Sequence, residues 1–313
     1  MGSSIFSGKD FITVEGMGRP DVDAVFVRAD EMGRIVKDRG ATDLLKGKML
    51  AALFYEPSSR TFSSFITAMQ RLGGGIIPLN GMTNTSVVKG ETLADTVRVF
   101  SAYADALVIR HPDPGALAAA AKYATVPVIN AGEGATGEHP TQGLIDLYTV
   151  TKHFPSVEKL HVLIIGDLAH YRPTNSLTKL LALYPGVRLT LATPADTPIH
   201  EGVRQYLKAK NVRVEERTDF TEALSTADVL YVTRVKKEYM SDELYKKIKG
   251  SYIVNGDVLA KMKKESIILH CLPRIDEIAS EVDDDPRALY IGEQVKNGLF
   301  VRMALLSLIL KKD

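Results

Sequence analysis

Residues 49–62 read Met49-Leu50-Ala51-Ala52-Leu53-Phe54-Tyr55-Glu56-Pro57-Ser58-Ser59-Arg60-Thr61-Phe62, an apolar run that ends in hydroxyls and an arginine. Unbroken apolarity from Met49 to Tyr55 predicts that the strand over 48–55 is parallel and buried on both faces, not an alternating one with a wet side. After Thr61, Phe62, Phe65, Ile66, Met69 and Leu72 recur at helical spacing, predicting a helix over 61–72 that Gly73-Gly74-Gly75 stops. The hand-over at Pro57-Ser58-Ser59 therefore falls at a helix start, where unpaired N–H groups and a partial positive charge favour an anion. Arg60 adds a permanent, flat, multi-donor cation. An ordinary serine N-cap beside a solvated arginine would explain the stretch taken alone.

The rest of the chain repeats the strand-to-helix pattern. A helix over 22–36 precedes it, and a short strand at 76–79, a polar loop at 80–89, a helix over 90–103, a strand at 106–110, a helix over 114–123 and a strand at 126–130 follow. A strong helix over 141–154 links to a second series: strand 160–166, helix 174–183, strand 188–192, helix 199–209, then strands at 212–216, 228–234 and 267–272. This alternation predicts α/β architecture, two doubly wound parallel-sheet domains joined by helices. The apolar final segment, 293–310, is expected to pack back on the first domain. The expected boundaries are residues 1–140 with the returning helix 292–313, and residues 141–291.

With 313 residues, the chain is long enough for two cores, and its net charge of +1 argues against a nucleic-acid surface. No apolar run is long enough to cross a membrane, and no signal-peptide layout opens the chain, so the cytoplasm is the expected compartment. The single cysteine, Cys271, excludes an intrachain disulfide and a thiolate zinc cluster, and the seven histidines show no ligand-like spacing, so no metal is expected.

In open α/β sheets ligands gather at the carboxyl ends of strands. Arginines stand at such ends or in the loops after them: Arg60, Arg110, Arg172 and Arg234. Four arginines so placed predict a substrate pair with several negative charges. His139 and Gln142 open the linking helix, where their donors suit a carbonyl oxygen and an amide.

Together Ser58-Ser59-Arg60-Thr61, Lys89-Gly90-Glu91-Thr92, Arg110-His111-Pro112, His139-Pro140-Thr141-Gln142, Gly166-Asp167-Leu168, Thr233-Arg234 and Leu272-Pro273-Arg274 resemble the catalytic chains of the aspartate carbamoyltransferase family, in order and over nearly the whole chain. The resemblance implies attack by the amine of L-aspartate on carbamoyl phosphate, giving N-carbamoyl-L-aspartate and phosphate, the committed step of pyrimidine biosynthesis, with no cofactor. It gives Ser58, Ser59, Arg60, Thr61 and Arg110 to the phosphate, and Thr61, Arg110 and His139 to the carbonyl oxygen. Gln142 and the carbonyls of Leu272 and Pro273 take the carbamoyl amide. Arg172, Arg234, Lys236, Lys89 and Leu272 fall to aspartate, and Glu56 pairs with Arg234 in domain closure. Ser86 and Lys89 reach a neighbouring subunit's site, which implies a homotrimer and leaves a regulatory chain or larger assembly open.

The sequence departs from the family pattern at Ala169-His170-Tyr171-Arg172-Pro173, at Lys236, and at His270-Cys271-Leu272-Pro273, which follows the ornithine enzymes. Two other readings therefore stand beside the first, a transferase for another amine such as ornithine and a catalytically silent structural or regulatory paralogue. Arg234, Lys236 and Lys237 would repel a cationic acceptor, and no Ser-Met-Gly signature of the ornithine enzymes is found.

Overall fold

The structure, a computed structural model, describes residues 6–235, 237 and 240–311. The chain divides into two compact units, one running to Leu144 and resuming at Lys296, the other comprising Ile145–Val295. Both divisions fall inside helices.

In the first unit, helix α1 (Arg19–Arg39) precedes strand β1 (Met49–Phe54), helix α2 (Ser59–Arg71), strand β2 (Gly75–Asn80), helix α3 (Leu93–Ser101), strand β3 (Ala106–His111), helix α4 (Ala116–Tyr123) and strand β4 (Val128–Glu133). The strands form one parallel sheet in the order β2-β1-β3-β4. Central β1 is buried from Leu50 to Phe54, as an unbroken apolar strand covered on both faces must be. Its last residue pairs with Asn80 on one side and Arg110 on the other, so three strands end level at one edge. The polar stretch read as a loop at 80–89 instead carries a 3-10 turn at Ser86–Lys89, held by the Thr85 hydroxyl accepting from Val87 N. A short local cap of this kind leaves no hydrophobic period to read.

Helix α5 (Pro140–His153) leads into the second unit. There strand β5 (His161–Ile165), helix α6 (Arg172–Leu181), strand β6 (Arg188–Ala192), helix α7 (Glu201–Ala209), strand β7 (Arg213–Arg217), strand β8 (Val229–Val232), helix α8 (Asp242–Ile248), helix α9 (Gly256–Lys261) and strand β9 (Ile267–Leu269) follow. Their sheet is parallel, in the order β7-β6-β5-β8-β9. Helices α8 and α9 went unread in the sequence; both are brief and polar, and each is started by a side-chain cap, Ser241 or Asn255.

Helix α10 (Glu293–Leu310) returns to the first unit. It is buried without interruption from Val301 to Leu306. The Phe300 ring abuts Gly33 of α1, Arg302 donates to Ser64 Oγ at 2.6 Å and lies over the Phe65 ring, and Gly8 N donates to Ile309 O. The greasy C-terminal segment thus finds its partner in the N-terminal fold.

Candidate active site

In the first unit the site builds from the level strand ends. Ser58 is the N-cap of α2, yet its hydroxyl makes no capping bond. Its own N–H donates to Asn80 Oδ1 at 3.0 Å, which ties the cradle to the end of β2. Ser59 and Arg60 are exposed in the first turn, whereas Thr61 is buried. An ordinary serine cap would spend its oxygen on the helix N–H groups. Here the Ser58 hydroxyl makes no such bond.

Arg110, at the end of β3, is half-buried, and its Nε stands 3.2 Å from Glu56 Oε2. The carboxylate that the resemblance assigns to Arg234 therefore faces Arg110 here. The Tyr55 and His111 rings meet at a tilt, with centroids 4.5 Å apart. Burial pushes the His111 pKa down, against the pull of Asp113, Glu133 and Glu56, which favours the neutral ring. Beyond β4, Glu133 N donates to Glu138 O, and the Glu138 carboxylate accepts from Thr13 Oγ1 and Val14 N. These bonds fold the 134–139 loop so that His139, 4% exposed, opens α5 with its carbonyl accepting from Gln142 N and Gly143 N. Gln142 is half-buried one turn on, and Ser86 and Lys89 are exposed at the ends of the 3-10 turn.

In the second unit, Gly166 ends β5 at a φ of +107°, and a Cβ there would meet Thr233 Oγ1 at 2.4 Å and Thr233 O at 2.6 Å. Only glycine lets β5 and the residue after β8 approach so closely. Thr233 Oγ1 donates to Ile165 O at 2.9 Å, which carries the chain to half-buried Arg234. Arg172 and Pro173 form the first turn of α6, where the missing proline N–H costs no helix bond. Arg172 is 4% exposed. The altered loop before it is pinned: both Asp167 carboxylate oxygens lie 3.1 Å from His170 Nδ1, and His200 Nε2 donates to Ala169 O at 2.5 Å.

After β9, Leu272 takes a φ of +55° and precedes a cis peptide to Pro273. Leu272 N donates to His270 Nδ1 at 2.7 Å, and His270 Nε2 faces Glu277 Oε1 at 2.9 Å. Burial raises the Glu277 pKa, but the bonds from His270 and Ile275 N outweigh it and hold the carboxyl below its ordinary range. The Tyr171 hydroxyl contacts Cys271 Sγ at 2.9 Å, and burial pushes that phenol well up. Lys236 lies outside the described residues.

Sequence reading placed His270 at a strand end but gave no role to Asn80, Glu138 or Glu277. Each acts through a partner that is distant in the chain or through backbone N–H groups, and neither leaves a spacing to find.

Two family models cover this chain almost end to end: the aspartate/ornithine carbamoyltransferase carbamoyl-P binding domain over residues 9–152, and the Asp/Orn binding domain over residues 158–309. The chain belongs to the aspartate/ornithine carbamoyltransferase family. Within it, the aspartate carbamoyltransferase catalytic subunit of Thermococcus kodakarensis is 44% identical, covering 97% of this chain and 98% of its own. The multifunctional protein pyr1-3 of Dictyostelium discoideum is also 44% identical over 97% of this chain, which spans only 14% of that longer protein. A crystal structure of aspartate transcarbamoylase from Trypanosoma cruzi, in complex with carbamoyl phosphate and aspartate, superposes with a TM-score of 0.93. It is 36% identical, with 98% of this chain and 97% of that one covered.

Proposed function

We propose that this chain is an aspartate carbamoyltransferase, transferring the carbamoyl group of carbamoyl phosphate to the amine of L-aspartate. The observation that carries this is the Ser58–Thr61 helix start, its N-cap hydroxyl making no capping bond, with Arg110 on the next strand level with Phe54, where β1 ends before that helix. It occurs in a chain 36% identical to a structure complexed with both substrates. The reading gives phosphate to Ser58, Ser59, Arg60, Thr61 and Arg110, whose N–H groups and guanidinium match a dianion. The amine nitrogen bonds to the carbonyl carbon, and negative charge grows on its oxygen, opposite donors from Thr61, Arg110 and His139. The C–O bond to phosphate then breaks, and phosphate takes the amine proton. No covalent nucleophile is needed, so the catalytic task is orientation and charge stabilisation.

Gln142 and the carbonyls of Leu272 and Pro273 are assigned to the carbamoyl NH2, and Arg172, Arg234, Lys236 and Lys89 to aspartate. The first unit is thus the carbamoyl-phosphate domain and the second the aspartate domain, with Glu56 and Arg234 assigned to their closure. Ser86 and Lys89, exposed on the 3-10 turn, are assigned to a neighbour's site in a homotrimer. Among the described residues no helix is long and apolar enough to cross a membrane. The cytoplasm is the compartment we assign, to be checked by cell fractionation. The test of function is ureido product formed from carbamoyl phosphate with L-aspartate, L-ornithine or putrescine. Aspartate turnover alone is expected; ornithine turnover without aspartate overturns the acceptor, and silence with every amine favours a non-catalytic role.

A further inference from the structure

We infer that Asp146, Gln294, His270 and Glu277 form a buried positioning chain that sets the Leu272–Pro273 turn to recognise the carbamoyl amide. This rests on the reading of those two carbonyls given above.

The chain lies wholly within the second unit; hydrogen bonds run from Asp146 through Gln294 and His270 to Leu272, and a close His270–Glu277 approach extends it. Asp146, on α5 and fully buried, accepts from Tyr231 OH at 2.8 Å through Oδ2 and from Gln294 Nε2 at 2.7 Å through Oδ1. That carboxylate fixes the Gln294 amide with its nitrogen toward Asp146, which turns Oε1 to accept from His270 N at 3.1 Å. His270 Nδ1 accepts from Leu272 N at 2.7 Å, so in the neutral ring the proton sits on Nε2, which faces Glu277 Oε1 at 2.9 Å. The other Glu277 oxygen accepts from Ile275 N at 3.0 Å and Asp276 N at 3.1 Å. The N–H groups of His270, Leu272, Ile275 and Asp276 are thus each held by a side chain of this set.

Such a network is costly to bury, since apolar side chains could fill the same volume without desolvating two carboxylates. What it holds is Leu272 at a φ of +55°, a conformation that residues with a Cβ seldom adopt. The carbonyls of residues 272 and 273 take their direction from that turn. None of the four side chains needs to touch substrate. Their effect reaches it through the aim of two main-chain oxygens.

Binding of carbamoyl phosphate and of inorganic phosphate, measured by calorimetry in the cold on the full chain, separates positioning from general stability. Only the former ligand carries the amide. Gln294→Ala is expected to raise the carbamoyl phosphate Kd by about tenfold while the phosphate Kd stays within about twofold. Gln294→Glu, which sets two carboxylates together, should do at least the same. Adding Asp146→Asn to it exchanges the donor and acceptor between residues 146 and 294, and this double variant should recover the wild-type ratio of the two constants. Glu277→Gln is read in the same way if Gln294→Ala does not fold by circular dichroism. A folded Gln294 or Glu277 variant with an unchanged ratio overturns the proposal, as does an equal rise in both constants. Failure of the underlying functional reading looks different: the wild-type chain itself would not prefer carbamoyl phosphate to phosphate.

Discussion

At the residue scale, Arg60 and His161 show how location decides what a side chain does. Arg60 is exposed on the first turn of α2 and contributes little to packing. Arg60→Ala should therefore lower transfer by on the order of 10²–10³, the loss typical of a removed charge-stabilising donor, with an unchanged melting temperature. A near-normal rate would remove the cradle from the mechanism. His161 is buried with its ring nitrogens against Thr190 Oγ1 and Thr226 Oγ1. Burial pushes its pKa down, and Arg188 and Lys263 push the same way against Asp228. The unfolded chain then binds this proton more readily than the folded one, so stability rises with pH. Melting temperature is expected to fall as pH drops from 7 through about 6.5, the unfolded histidine value, and His161→Asn should flatten that slope.

At the element scale, the edge where β1, β2 and β3 end level is what the reading of 49–62 needed and could not supply. Apolar continuity identified β1 as a central strand, and the change of period at Pro57 identified the start of α2, because both signals are local. That Asn80 would hold Ser58 N, or that Glu56 would stand 3.2 Å from Arg110, depended on strand order, which no local pattern encodes. The close approach after β5 yields a prediction of its own. Gly166→Ala places a Cβ 2.4 Å from Thr233 Oγ1 at a backbone angle that favours glycine. It should cost roughly 2–4 kcal/mol in urea unfolding, with aspartate-side kinetics more affected than phosphate binding. A loss below ~0.5 kcal/mol would show that the two strands separate freely.

At the scale of the whole molecule, the chain crosses between its units twice, in α5 and again in α10. The second crossing explains the apolar C-terminus, which is buried from Val301 to Leu306. Truncating Leu305 to Ala there should cost roughly 2–5 kcal/mol, measured by denaturant unfolding, because a fully buried leucine leaves a cavity. The proposed trimer makes a prediction that no single chain can meet. Arg60→Ala and Lys89→Ala chains, each inactive alone, should regain about one quarter of wild-type activity when reassembled in equal amounts, since each mixed trimer then contains one unaltered shared site. Verified hybrids with no activity would show that Lys89 serves its own chain's site.

The sequence by itself determined the α/β alternation, the parallel character of the strands and the start of a helix directly after Ser58. These follow from apolar periodicity and residue chemistry within a few positions, which survive in a linear string. Tertiary structure alone decided that the Ser58 hydroxyl makes no capping bond, that Glu56 faces Arg110, and that Asp146, Gln294, His270 and Glu277 join in one line behind Leu272. Those partners lie as much as 148 residues apart, and a buried hydrogen bond depends on distance and direction in space, not on separation along the chain.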